Sequence, residues 1–183
     1  MNNDYLIFFI FLGLAAFFVL RSWLDKKKLE NLIPLLNGTI KTQWGRPLLQ
    51  GIWEGKTAKI SLKPGGRNTP PKLQIALQHY LNFKLTIYTD NLLYQLAKKT
   101  GLMKEVEIGD QKFDQTYFLA SNQPQEVITF LTAPKRETVG NLRFSMLELG
   151  PQGIRLTINY YNDGDLQPQQ MMNTLQKLNS LTQ

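Results

Sequence analysis

Residues Tyr5 to Leu20 read YLIFFIFLGLAAFFVL, a run with no charge and no polar face, and Lys26, Lys27 and Lys28 stand close behind it. A segment this apolar must be covered by something other than water. As a helix, its sixteen residues span roughly 24 Å at about 1.5 Å per residue, against a hydrocarbon core about 30 Å thick. The gap closes if Arg21 snorkels and Trp23 and Leu24 complete the helix, with Tyr5 and Trp23 in the two aromatic belts. The preceding residues, MNND, carry an acid and no base, and no small-residue cleavage site follows, which argues against a secretory signal. The expectation is a single transmembrane helix over residues 1–24.

Basic residues set orientation, and Arg21, Lys26, Lys27 and Lys28 all follow the run while none precedes it. The expected topology is a single-pass membrane protein with its N-terminus outside and its C-terminal domain cytoplasmic. The chain has no cysteine, which is compatible with either side. Arg21, Trp23, Lys26, Lys27 and Lys28 are the candidate lipid contacts, with anionic headgroups as their partner. The net charge is +7, and residues 21–28 supply four bases against one acid. The rest is spread along the chain with no basic, aromatic-interleaved stripe, so nucleic acid is not an expected partner.

The remaining residues suffice for one domain with a real core. Residues 25–36, DKKKLENLIPLL, predict a basic juxtamembrane helix kinked or ended by Pro34, and 37–183 the folded domain. Strands are predicted at 39–44, 49–54 and 56–63, joined by tight turns into an antiparallel meander. The stretch KPGGRNTPPK, Lys63 to Lys72, predicts an exposed hairpin tip, and its bases Lys63, Arg67 and Lys72 make it a candidate partner or headgroup loop as well as a solvated connector. From Leu73 to Ile87 the apolar residues fall on odd positions, the mark of a sheet with one wet face, with a bend near His79-Tyr80. A helix follows over 91–100, capped by Asp90. Further strands are predicted at 106–108 and 112–120, helices near 122–131 and 135–141, a hairpin from Phe144 to Tyr161 around GPQG, and a last helix capped by Asp163 or Asp165, with Met171, Met172, Leu175, Leu178 and Leu181 on one face. The fold class is α+β: a transmembrane helix, then one mixed domain with a mainly antiparallel sheet and three to four helices.

No catalytic, cofactor or metal constellation is legible. His79 is the lone histidine, with no cysteine to complete a metal site. Glu105, Glu107, Asp110 and Asp114 cluster in sequence, but Glu105 and Glu107 alternate with apolar residues as on a solvated strand, and Asp110 falls in a turn. No GxSxG elbow, P-loop or dinucleotide fingerprint appears.

The segment Gly109-Asp110-Gln111-Lys112-Phe113-Asp114-Gln115-Thr116-Tyr117 resembles a GD-x-x-FD-x-x-[FY] pattern in a family of uncharacterised bacterial membrane-anchored proteins. There a helix and an LT-x-x-x-R stretch follow, similar to Leu131-Thr132 and Arg136. The resemblance covers about residues 100 to 182 and implies a fold type and a membrane anchor, with no activity attached. The residues themselves put Phe113 and Tyr117 on one strand face and Asp114 on the other.

The function these features suggest is a membrane-tethered protein-binding module, an accessory or assembly factor whose partners are subunits of a larger membrane complex. An anionic-lipid-binding domain and a tethered enzyme with an unfamiliar site remain open beside it.

Overall fold

Alternating apolar residues build the centre of the molecule. The computed structural model describes residues 3–43, 45–89 and 105–183. Its strands are β1 (Thr39–Gln43), β2 (Arg46–Trp53), β3 (Lys56–Lys63), β4 (Lys72–Leu77), β5 (Leu85–Tyr88), β6 (Phe118–Ser121), β7 (Met146–Gly150) and β8 (Gly153–Asn159). They form one sheet of order β1-β2-β3-β4-β8-β7-β5-β6, antiparallel at every junction. The described helices are α1 (Asn3–Glu30), α2 (Ile33–Leu36), α3 (Gln111–Thr116), α4 (Pro124–Phe130), α5 (Ala133–Gly140) and α6 (Pro168–Ser180), with a 3-10 turn at Asp163–Leu166. The class is mixed α+β.

One register row carries the core. Ile40, Leu49, Ile60, Ile75, Leu156, Leu147, Ile87 and Leu119 face one another in turn across all eight strands. All but the edge residue Ile40 are buried. Helices cover this face: α1 and α2 lie against β2, α6 against β4, and α3 against β6. Met171, Leu175 and Leu178 of the last helix, and Leu181 at its C-cap, are fully buried. The opposite face carries Gln50, Lys59, Ser61, Gln74 and Arg155, so the sheet has one dry side and one wet side across β2, β3, β4 and β8.

Turn chemistry supports the register. Glu54 and Gly55, between β2 and β3, both have positive φ, at 46° and 78°, as a two-residue hairpin turn of the right twist requires. Beside it, Lys56 Nζ donates to Asn179 Oδ1 at 2.5 Å, and Asn179 Nδ2 donates to Glu54, so this hairpin holds the end of α6.

Four expectations need correction. First, among the described residues no helix is long and apolar enough to cross a membrane. The uncharged run stops at Arg21, short of the hydrocarbon thickness. The helix that holds it continues through Lys26–Lys28 to Glu30, and its Leu29 is fully buried on the domain. The single-pass anchor is therefore not supported, nor is the topology built on it, with an outside N-terminus and a cytoplasmic domain. Second, residues 25–36 are not one helix: 25–30 belong to α1, and Pro34 sits in the first turn of α2, where its missing N–H costs nothing. Third, the Leu73–Ile87 alternation belongs to two strands that are not neighbours, since β8 and β7 lie between β4 and β5. Fourth, Lys112–Thr116 is helical, and residues 106–108 make no strand, Glu105 alone bridging to Ala120. The predicted helix over 91–100, with its cap Asp90, lies outside the described residues.

The loop between β4 and β5 still inserts Phe83 into the core, where its ring meets Phe130 edge-on at 5.1 Å, while Lys84 is exposed. Phe83→Asp should destabilise the domain by about 3–5 kcal/mol, the cost of an unpaired buried charge. Lys84→Asp should stay within about 0.5 kcal/mol of the parent. Thermal unfolding of the two variants checks this; equal melting temperatures would contradict the placement.

Candidate functional site

α1 has two parts with different surroundings. From Ile7 to Leu20 its described side chains are exposed, Phe9 to 64% and Val19 to 71%. From Arg21 onward the helix turns into a root fixed on the domain. Ser22 Oγ donates to the Gly45 carbonyl at 3.2 Å, in the turn between β1 and β2. Leu29 and Leu32 are buried, and Lys28 Nζ donates to Asp163 Oδ1 at 2.8 Å, an exposed ion pair worth at most about 1 kcal/mol.

The candidate lipid contacts thus divide. Lys26 and Lys27 remain exposed, and Lys27 Nζ lies 4.5 Å from the Trp23 ring centre, a cation–π pair on the open side of the helix. Trp23 itself is 49% exposed. Arg21 and Lys28 instead face the domain, flanking Asp25 and Tyr161. Burial raises the Asp25 carboxyl above the ordinary carboxylate range, although Arg21 and Lys28 pull it back. Burial also raises the Tyr161 phenol, with Asp25 adding to it. Asp163 and Asp165, expected to cap the last helix, lie instead in the 3-10 turn before it, and that helix is capped by Gln167. The role of Asp163 as the Lys28 partner depends on a contact 135 residues away in sequence.

The residues of the GD-x-x-FD-x-x-[FY] and LT-x-x-x-R stretches converge. Asp110 caps α3 by accepting from the Phe113 N–H at 3.2 Å, and its other oxygen pairs with Arg136 Nε at 3.0 Å. Arg136 also donates to the Leu131 carbonyl at 2.7 Å. Asp114 accepts from the backbone N–H groups of Ile108 and Gly109, at 3.2 and 3.0 Å. The Tyr117 ring lies between those of Phe113, 4.6 Å away, and Phe144, 5.8 Å away, and burial raises its phenol above the ordinary range. Asp110, Lys112, Phe113, Tyr117, Arg136 and Glu137 line an open cleft of about 470 Å³ between α3 and α5. Of the four acids weighed for chemistry, Asp110 and Asp114 are therefore occupied in fixing a helix and a loop.

His79 stands in the loop after β4, its pKa lowered first by burial and then by Lys56 and Lys135. Among the described residues no three His, Cys, Asp or Glu side chains gather where a metal could sit. Of the candidate loop, Lys63 ends β3 and Lys72 begins β4 directly opposite it, while Arg67 is exposed at the tip, which the Gly66–Thr69 bridge closes.

Asp25 gives the root a pH signature. Its folded pKa lies above its unfolded value, so its contribution to stability is present below about pH 4 and is lost as pH rises through the folded pKa. Asp25→Asn should raise the melting temperature at pH 7, and the gain should shrink toward pH 4. A loss at pH 7 would contradict the dominance of burial.

No family model matches the chain, and no curated protein matches it. Among solved structures, the chain is similar to the mycobacterial trehalose monomycolate transport factor A, TtfA, with a TM-score of 0.60, 9% identity, and coverage of 86% of this chain and 93% of that one. At that identity the likeness is one of fold.

Proposed function

We propose that the protein is an accessory factor of a larger protein assembly, a binding module in which α1 supplies an apolar surface that a partner subunit covers. The observation that carries this is the exposed apolar shaft on a docked root. Ile7, Phe9, Ile10, Phe11, Phe17 and Phe18 are each more than half exposed, while Leu29 at the base of the same helix is fully buried. Apolar surface of this extent marks an interaction site, and a rigid root limits the entropy lost when a partner binds. The engagement of Asp110, Asp114 and Arg136 in local structure supports binding over catalysis. The likeness to a trehalose monomycolate transport factor supports an accessory role of this kind.

A second reading, contact with an anionic lipid surface, is favoured by Trp23, Lys26 and Lys27 on the open side of α1. Phe11→Asp with Phe18→Asp, in the full chain, separates the two. Both side chains are exposed, so the melting temperature should be unchanged. The accessory reading expects the variant to lose a defined, stoichiometric partner from mild-detergent extracts, and the cellular phenotype with it. Retention of the partner with loss of binding to phosphatidylglycerol vesicles would favour the lipid reading. Retention of both would remove α1 as the binding element.

A further inference from the structure

The wet face of the sheet gathers cations in register at one end. Lys63 of β3 and Lys72 of β4 are direct cross-strand partners. The register that pairs Leu48 with Ser61 brings Arg46 opposite Lys63, two residues further along each strand. Strand alternation puts Arg46, Lys63 and Lys72 on the same face as Ser61 and Gln74, opposite the buried Pro47, Leu62 and Leu73. Like charges directly opposite one another destabilise a sheet. Among the described residues, none of the three has an ion-pair partner.

The same residues frame a cavity. About 310 Å³ of space lies over Leu48, lined by Gln43, Arg46, Ser61, Lys63 and Gln74. No acid lines it. A guanidinium offers paired donors to two oxygens of a tetrahedral anion, an ammonium adds a point charge, and the serine hydroxyl and two carboxamides supply neutral donors. An anion there would also relieve the repulsion between facing bases. We infer that this end of the sheet is a binding site for a phosphate-bearing anion, held by Arg46 and Lys63 with Ser61, Gln43 and Gln74, while Lys72 adds field from the next strand.

The site does not depend on α1 serving as a docking surface, since no residue of the exposed shaft lines it. Two sources carry this chemistry, a free phosphorylated compound and a lipid headgroup. The test uses the full chain in non-ionic detergent at low salt, titrated calorimetrically with pyrophosphate, and in parallel the binding of the chain to vesicles of phosphatidylcholine with and without phosphatidylglycerol. Arg46→Gln and Lys63→Gln should each weaken binding by about tenfold, as loss of a charge-assisted contact does. Lys59→Gln removes the same charge from the same face outside the cavity and should change binding less than about twofold. Thermal unfolding reports folding of every variant. It also gives a second readout, because pyrophosphate should raise the melting temperature of the parent and of Lys59→Gln clearly more than that of Lys63→Gln. Pyrophosphate binding without a vesicle difference between parent and Arg46→Gln identifies a free phosphorylated compound. A phosphatidylglycerol-dependent difference identifies a headgroup. If Lys59→Gln loses as much as Arg46→Gln, or no probe distinguishes parent from variants, the site does not exist.

Discussion

The backbone contact between Leu36 and Gly51 fixes how the apolar helix is carried. A Cβ at Gly51 would run into the Leu36 carbonyl, and one at Gly38 would come within 2.7 Å of the Gln50 carbonyl. Only glycine at both positions lets the end of α2 lie directly on β2. Asn37, in the left-handed region at φ 44°, then turns the chain from α2 into β1. With that approach made, Leu29, Leu32 and Leu36 are all buried over the sheet, and the direction in which α1 leaves the domain is set. Lys28 with Asp163, and Ser22 with Gly45, add fine positioning. Exposed polar contacts of this kind contribute little by themselves.

Much of the sheet was legible because its signal is local. The meander β1 to β4, the β7–β8 hairpin and the apolar face of α6 each follow from alternation or helical spacing between recognisable turns. The order of the strands was not legible, because no local pattern says that β8 and β7 intervene between β4 and β5. Of the strand predicted over Lys112–Ala120, Phe118–Ala120 lie in β6, and the first part failed for a specific reason. Phe113 and Tyr117 are four apart, a spacing that satisfies both the two-residue and the 3.6-residue period. The cap from Asp110 to the Phe113 N–H decided for helix. The apolar run of α1 was legible as a surface needing cover, but reading it as a membrane-spanning anchor overreached its length.

The candidate site shows the same division. The basic residues around α1 could be picked out from sequence, but only their long-range neighbours, Asp163 for Lys28 and Tyr161 for Arg21, separate the bases at the root from Lys26 and Lys27, which stay open. Lys63 and Lys72 were visible as part of a basic loop. Arg46, seventeen residues before Lys63, joined them only once the register was known. The domain thus behaves as a frame presenting an apolar helix and a charged sheet surface, with Asp110, Asp114 and Asp165 spent on internal order.

Amide hydrogen exchange tests most directly whether the sheet holds α1. In the parent chain, residues 24–32 should exchange as slowly as β2 and β3, since Leu29 and Leu32 are buried with that sheet. In Gly51→Ala, exchange over 24–36 should accelerate by orders of magnitude, while the β7–β8 hairpin stays protected. Free exchange over 24–32 in the parent, with the sheet protected, would contradict a docked helix.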